Sequence, residues 1–176
     1  MSSENEFTQD KFLGGKLTLW QPRFGYRANI DSVILASAVS PKEGQSVLEL
    51  GCGIGTVLLC LMARVSGLET IGIELQEKYA QLARLNSNVN NLPANILTCN
   101  INAIPRTERN KVFDFVILNP PFNPNQKPHS GLETERKLAR TELSPNLEGW
   151  LNIAIKRCRP KGEVVMIHKA ERLADI

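Results

Sequence analysis

Short β-rich apolar runs alternate with amphipathic helical segments through the middle and the end of this chain. The β-rich runs predict five strands, at residues 45–50, 69–74, 94–99, 112–118 and 163–168. Apolar positions at helical spacing predict helices at residues 56–65, 76–90 and 147–158. This alternation favours an α/β fold, with a mostly parallel central sheet flanked by helices on both faces.

The first 44 residues lie outside this alternation. They contain a predicted strand at residues 16–21 and a predicted helix at residues 30–39, with Asp31 in its first turn. An acidic side chain at that place is favoured by the helix dipole. We therefore divide the chain into an N-terminal extension, residues 1–44, that packs on a main domain, residues 45–176.

Composition places the chain among soluble globular proteins, since 42% of its 176 residues are hydrophobic and 22% are charged. The net charge of +3 permits a nucleic-acid partner without requiring one. Every apolar run is too short to span a membrane, and the polar N-terminus lacks the core of a secretory signal. The cysteines are scattered without a Cys-x-x-Cys pair, so we expect no metal site and a reducing, cytoplasmic location.

A glycine-rich motif, Glu49-Leu50-Gly51-Cys52-Gly53-Ile54-Gly55, joins a predicted strand to a predicted helix. Glycines allow a sharp turn and a close approach of a ligand to the backbone. Glu74 ends the next strand, where an acid can accept both ribose hydroxyls of a nucleoside. The Gly-x-Gly-x-Gly spacing suits S-adenosylmethionine better than a dinucleotide, because this ligand has no pyrophosphate. A plain glycine-rich turn beside an exposed glutamate is the alternative.

The second motif, Asn119-Pro120-Pro121-Phe122, follows the fourth strand of the predicted sheet. Proline cannot donate to a strand ladder, so the strand ends here. The side-chain oxygen of Asn119 and the carbonyl of Pro120 could accept the two hydrogens of a planar amino group. Phe122 could stack on a flat ring, or it could belong to the core of a simple strand-ending turn.

In chain order, VLELGCGIG (47–55), GIE (72–74) and ILNPPF (117–122) resemble the Rossmann-like S-adenosylmethionine-dependent methyltransferases that act on planar amino groups. The flanking segments are similar to bacterial tRNA (adenine-N6)-methyltransferases that modify a valine tRNA beside its anticodon. These segments are FLGGKL (12–17), QP (21–22), GYR (25–27), DSVILA (31–36) and HKAERL (168–173). Relatives usually continue with a helix and an antiparallel strand pair, so the resemblance implies a C-terminally incomplete domain.

The resemblance implies S-adenosyl-L-methionine as cofactor and tRNA as partner, and it assigns residues to two groups. The residues expected at the cofactor are Tyr26, Arg27, Glu49, Gly51, Gly53, Gly55, Glu74, Asn100 and Ile101. Among them, Glu49 and the glycines would hold the methionine end and Glu74 the ribose. Asn100 would lie at the adenine, where many relatives carry Asp. The residues expected at the methyl acceptor are Asn119, Pro120, Pro121 and Phe122.

The activity implied is methyl transfer to an adenine amino group of tRNA, achieved by positioning and without a covalent intermediate. Other planar amino groups are alternatives: guanine N2 of ribosomal RNA, or glutamine N5 of a release factor. The release-factor group typically has NPPY and a helical N-terminal domain. A non-catalytic cofactor- or RNA-binding module is a further alternative. Residues 123–145, with interleaved basic and acidic side chains, favour an RNA-binding loop and a solvated helix equally.

Overall fold

The computed structural model describes residues 6–121 and 146–175. In chain order its elements are β1 (Phe7–Phe12), β2 (Leu17–Pro22), α1 (Ile30–Ser37), β3 (Ser46–Leu50), α2 (Thr56–Arg64), β4 (Glu69–Glu74), α3 (Glu77–Val89), β5 (Asn95–Thr98), a 3-10 helix (Ile101–Ala103), β6 (Phe113–Leu118), α4 (Leu147–Arg157), β7 (Cys158–Met166) and a 3-10 helix (Ala170–Asp175). Phe122 and the segment 123–145 lie outside the described residues, so neither alternative for that segment is tested.

Strands β3 to β7 form one sheet in the order β5-β4-β3-β6-β7, and every pairing in it is parallel. The central strand β3 lies between β4 and β6. All residues of β6 are buried, as expected for a strand that is covered on both faces of its sheet. The predicted α/β fold with a parallel central sheet is therefore confirmed.

Side chains of the central strands alternate between two hydrophobic cores, because successive residues of a strand point to opposite faces. Val47 and Phe115 belong to the core that is shared with α1, α2 and α3. Leu48 and Val116 belong to the other core, which contains Trp150 of α4. Helices thus cover both faces of the sheet.

Strands β1 and β2 form a separate antiparallel hairpin. The sequence predicted β2 but not β1, because the sequence FTQDKF is largely polar and none of its residues is buried. Such a strand lacks the alternation that reveals a half-buried strand. Leu17 and Leu19 of β2 are buried in the core with α1 and α2, so the hairpin contributes to the same face of the protein as these helices.

Strand β7 begins earlier than predicted. The sequence predicted a strand at residues 163–168, whereas the strand spans Cys158–Met166. Cys158 pairs with Phe113 and Glu163 pairs with Phe115, so the intervening residues bulge out of the ladder. Lys161 adopts a left-handed backbone (φ 66°) in this bulge. The Pro-Lys-Gly sequence interrupts the ladder without ending the strand. Where the strand begins depends on its pairing with β6, which local propensity does not reveal.

Across residues 6–121 and 146–175, the structure contains no helix that is both long and apolar enough to cross a membrane.

Candidate functional site

The strand order brings the two sequence motifs to one edge of the sheet. β3 ends at Leu50, β4 ends at Glu74 and β6 ends at Leu118, and these three strands are parallel neighbours. Their carboxyl ends therefore lie side by side, where ligands bind in open α/β sheets. The glycine-rich motif, Glu74 and Asn119 meet at this edge.

Residues 51–55 form the glycine loop. At three of its positions the backbone is left-handed, a conformation that glycine adopts readily and other residues rarely do. The φ angles of Gly51, Gly53 and Gly55 are 72°, 55° and 83°. Two backbone amides of the loop, those of Gly51 and Cys52, donate to the carbonyl of Ile73 in β4 at 2.8 and 2.9 Å. The loop is therefore held against β4, and it leads directly into α2, whose N-cap is Gly55.

Glu74 is buried and oriented by two backbone amides. Its Oε2 accepts a hydrogen bond from the Gly53 amide at 2.9 Å, and its Oε1 accepts one from the Gln76 amide at 2.8 Å. Because both oxygens are held in this way, the carboxylate has a defined position beside the glycine loop. Its role at the ribose of a bound nucleoside stays a prediction.

Glu49 lies beneath the loop with only 2% of its surface exposed. Burial raises the pKa of this carboxyl well above its usual value; a hydrogen bond from the Leu58 backbone opposes the shift, and the charge of Glu74 adds to it. Among the described residues, its Oε2 has no hydrogen-bond partner. The charged form of a buried carboxyl with one oxygen unpartnered is costly, so the site favours a positively charged ligand group.

Tyr26 and Arg27, both expected at the cofactor, point to different places. A Cβ built on Gly53 would lie 2.7 Å from Cε1 of Tyr26, so the Tyr26 ring lies directly on the loop. Although 37% of Tyr26 is exposed, desolvation of its hydroxyl, with the charge of Glu49 second, raises the pKa of Tyr26 to about 12. The guanidinium of Arg27 instead contacts the hairpin, at 2.8 Å from Asp10 and 3.0 Å from Thr8.

The remaining predicted residues follow β5 and β6. Asn100 is the N-cap of the short helix after β5, where its side chain accepts a hydrogen bond from the Asn102 amide at 2.9 Å. Ile101 is buried. After β6, Asn119 is half-buried and Pro120 is buried. Pro121 is exposed, and Phe122 lies outside the described residues.

Two further side chains at the site were not among the predicted site residues. Trp150 of α4 packs on the loop from the opposite side, since a Cβ on Gly51 would lie 2.9 Å from its Cη2. Asn86 of α3 is fully buried, and its Nδ2 donates to the carbonyl of Ile54 at 3.0 Å. An amide on an otherwise apolar helix face was the sequence signal for Asn86. The Trp150 contact joins residues far apart in the chain and left no local signal.

Together these features define a Rossmann-like domain whose glycine loop and two buried carboxyl side chains, Glu49 and Glu74, lie at the carboxyl edge of the sheet. The chain belongs to the methyltransferase small domain family, whose model matches residues 26–165. This membership confirms the predicted class of S-adenosylmethionine-dependent methyltransferases. S-adenosyl-L-methionine is the cofactor, and the residues fit it, because a buried carboxyl whose Oε2 lacks a partner among the described residues suits a ligand that carries positive charge.

Individual relatives act on different acceptors. The chain is 25% identical over 148 residues to a tRNA1(Val) (adenine(37)-N6)-methyltransferase of Glaesserella parasuis, which covers 80% of this chain and 58% of that protein. It is 28% identical over 111 residues to a release factor glutamine methyltransferase of Aliivibrio fischeri, covering 63% of this chain and 39% of the relative. The chain thus spans less than two thirds of the length of these curated relatives.

A solved structure with the same fold is the 16S rRNA N2 G1207 methyltransferase of T. thermophilus, in complex with AdoMet and guanosine. It superposes with a TM-score of 0.65 at 22% identity, and the match covers 91% of this chain and 41% of that one.

Proposed function

We propose that this domain transfers a methyl group from S-adenosyl-L-methionine to the N6 amino group of an adenine in tRNA, in the anticodon loop of a valine tRNA. The observation that carries the proposal is the position of Asn119 and Pro120. They directly follow β6, which pairs with β3, the strand that leads into the glycine loop. The flanking segments and the Glaesserella relative support the choice of tRNA.

The chain's contribution to this reaction is positioning. When bound, S-adenosyl-L-methionine supplies an electrophilic methyl group on its sulfonium. An adenine amino group is a weak nucleophile, because its lone pair is delocalised into the ring. In this proposal the Asn119 side-chain oxygen and the Pro120 carbonyl accept the two amino hydrogens, which favours a more tetrahedral nitrogen with its lone pair directed at the methyl group.

The surrounding residues keep these acceptors in place. Pro120 is buried and proline has a restricted φ, so the turn after β6 is stiff before the substrate arrives. Phe122 is proposed to stack on the target base. The base has to leave its stack to reach this pocket, and a single-stranded anticodon loop lowers that cost.

Mass spectrometry of tRNA nucleosides tests the substrate. Deletion of the gene in its source organism is expected to remove N6-methyladenosine from one valine tRNA. A plasmid copy of the wild-type gene is expected to restore the modification, and a copy with Asn119→Ala is not. If all tRNAs are unchanged by the deletion, the tRNA proposal is wrong. Guanine N2 of ribosomal RNA and glutamine N5 of release factors are then measured in the same strains.

Binding and transfer by the purified protein test the role of Asn119. We expect Asn119→Ala to reduce transfer by about 100-fold or more, the usual effect of removing one preorganised transition-state contact. Its affinity for S-adenosyl-L-methionine is expected to stay within about twofold, because the proposed contact is with the acceptor. An equal loss of cofactor affinity would contradict this role. Cofactor binding without transfer to any of the three acceptors would favour a non-catalytic module.

Two further proposals concern organisation and location. We propose that residues 1–44 form an extension that packs on a methyltransferase domain, residues 45–176, which the burial of Leu17 and Leu19 supports. We also propose a cytoplasmic location, where a tRNA substrate is available.

A further inference from the structure

By their spacing, four residues lie on one side of α3: Tyr79, Ala83, Asn86 and Asn90, the C-cap of the helix. The Tyr79 hydroxyl accepts a hydrogen bond from the Tyr26 amide at 3.2 Å. A Cβ built on Gly55 would lie 3.3 Å from Cβ of Ala83, so the helix packs against the end of the glycine loop.

The Asn86 side chain makes three hydrogen bonds, all of them to backbone groups. Its Oδ1 accepts from the Trp20 amide at 2.6 Å, and its Nδ2 donates to the Trp20 carbonyl at 3.1 Å. The second Nδ2 hydrogen goes to the Ile54 carbonyl, at 3.0 Å, inside the glycine loop. Because the Trp20 backbone offers both a donor and an acceptor, it fixes the orientation of the Asn86 amide, with Oδ1 on the Trp20 amide and Nδ2 on the Trp20 carbonyl. The second N–H is thereby directed at the loop.

Asn90 makes the same kind of contact one helical turn further on. Its Oδ1 accepts from the Thr18 amide and its Nδ2 donates to the Thr18 carbonyl, both at 2.8 Å. Thr18 and Trp20 are two residues apart, so their polar groups lie on one edge of β2. The two asparagines therefore form hydrogen bonds with the N–H and C=O groups of this edge, as a neighbouring strand would. Among the described residues, the hydrogen bonds of Asn90 reach β2 and the backbone of α3 but not the glycine loop.

We propose that Asn86 is a positioning residue for the cofactor, which holds the Ile54 carbonyl and thereby the glycine loop in the conformation that receives S-adenosyl-L-methionine. Three left-handed glycines surround this carbonyl, and a chain of this kind has many alternative conformations. Without Asn86 the buried Ile54 carbonyl would lose this partner, and so would the partly buried backbone of Trp20. This inference concerns the cofactor loop and is independent of the acceptor proposed above, so failure of one leaves the other intact.

The chain supplies a matched control. Asn86→Ala and Asn90→Ala each remove an amide that caps the same edge of β2, but only Asn86→Ala releases the loop. Calorimetric titration with S-adenosyl-L-methionine, well below the melting temperature of each variant, measures the dissociation constant of the folded protein. We expect this constant to rise about 5- to 10-fold in Asn86→Ala, as for one lost hydrogen bond, and to stay within about twofold in Asn90→Ala. A merely structural role would not move the constant of the folded protein.

Hydrogen exchange of the cofactor-free protein supplies a second readout. Backbone amides of residues 53–59 are expected to exchange faster in Asn86→Ala than in Asn90→Ala. If Asn86→Ala does not fold, Asn86→Ser and Asn90→Ser take the places of the alanine variants, since the hydroxyl keeps a polar group at each position but is too short to hold the Ile54 carbonyl as the amide does. An unchanged dissociation constant in the Asn86 variant, or an equal rise in both variants, would overturn the proposal.

Discussion

The substitution Glu49→Gln should stabilise the cofactor-free protein and weaken cofactor binding at the same time. The side chain keeps its shape and an oxygen that can accept from the Leu58 backbone, but it loses its charge. Glu49 is 2% exposed, and its Oε2 has no partner among the described residues. Burial first, and the charge of Glu74 in addition, raise its pKa well above the usual 4.5.

The sign of the pH dependence follows from this shift. Between pH 4.5 and the raised folded-state pKa, the folded protein binds a proton at Glu49 that the unfolded chain has released. Stability of the cofactor-free protein therefore falls as the pH rises through this window, by at most about 1.4 kcal/mol per pH unit for one proton. Glu49→Gln removes this contribution. The variant is thus expected to be more stable than the wild type above the window, and equally stable below pH 4.5.

Cofactor binding changes in the opposite direction. A hydrogen bond to a charged group contributes about 1.5–3 kcal/mol, which corresponds to a dissociation constant about 10- to 150-fold weaker in Glu49→Gln. The incoming positive charge also lowers the pKa of Glu49, so the wild type should release a proton on binding and the variant should not. Glu69→Gln, at an exposed position, is the control and should change stability by less than about 0.5 kcal/mol.

Denaturant unfolding at several pH values measures the stability difference. Calorimetry in two buffers with different ionisation enthalpies measures affinity and proton release together. The reasoning would be refuted if Glu49→Gln bound S-adenosyl-L-methionine as tightly as the wild type. It would equally be refuted if the stability of the wild type did not fall relative to that of the variant as the pH rose.

Two further substitutions test the loop. Glu74→Ala removes the acceptor of the Gly53 and Gln76 amides. Calorimetry should show a loss of at least about tenfold in cofactor affinity. An unchanged affinity would contradict the assignment of Glu74 to the ribose. Gly53→Ala places a Cβ 2.7 Å from the Tyr26 ring, so it should lower the free energy of unfolding by about 1–3 kcal/mol more than Gly14→Ala does. Gly14 is the matched control, because it too has a left-handed backbone but nothing within 4 Å of an added Cβ; equal losses in the two variants would contradict close packing of Tyr26.

Sequence alone determined the parallel sheet and the position of its functional edge. The strand predicted at residues 69–74 has those bounds in the structure, and the glycine loop and Asn119 follow strands as predicted. These features depend on local periodicity and on glycine and proline, whose backbone limits act within a few residues. The division at residue 44 and the roles of the individual site residues stay predictions.

Tertiary structure decided the contacts that join distant parts of the chain. Strand β1 exists only because β2 pairs with it, and β7 starts at Cys158 only because Phe113 lies opposite. Arg27, whose role at the cofactor stays a prediction, contacts Asp10 of the hairpin, 17 residues away in the chain. In the sequence, Asn86 is one polar residue on an apolar helix face. Its hydrogen-bond partners Trp20 and Ile54 lie 66 and 32 residues away. Local sequence determines which elements form, whereas these long-range hydrogen bonds arise only after the elements have packed, because their geometry depends on several elements at once.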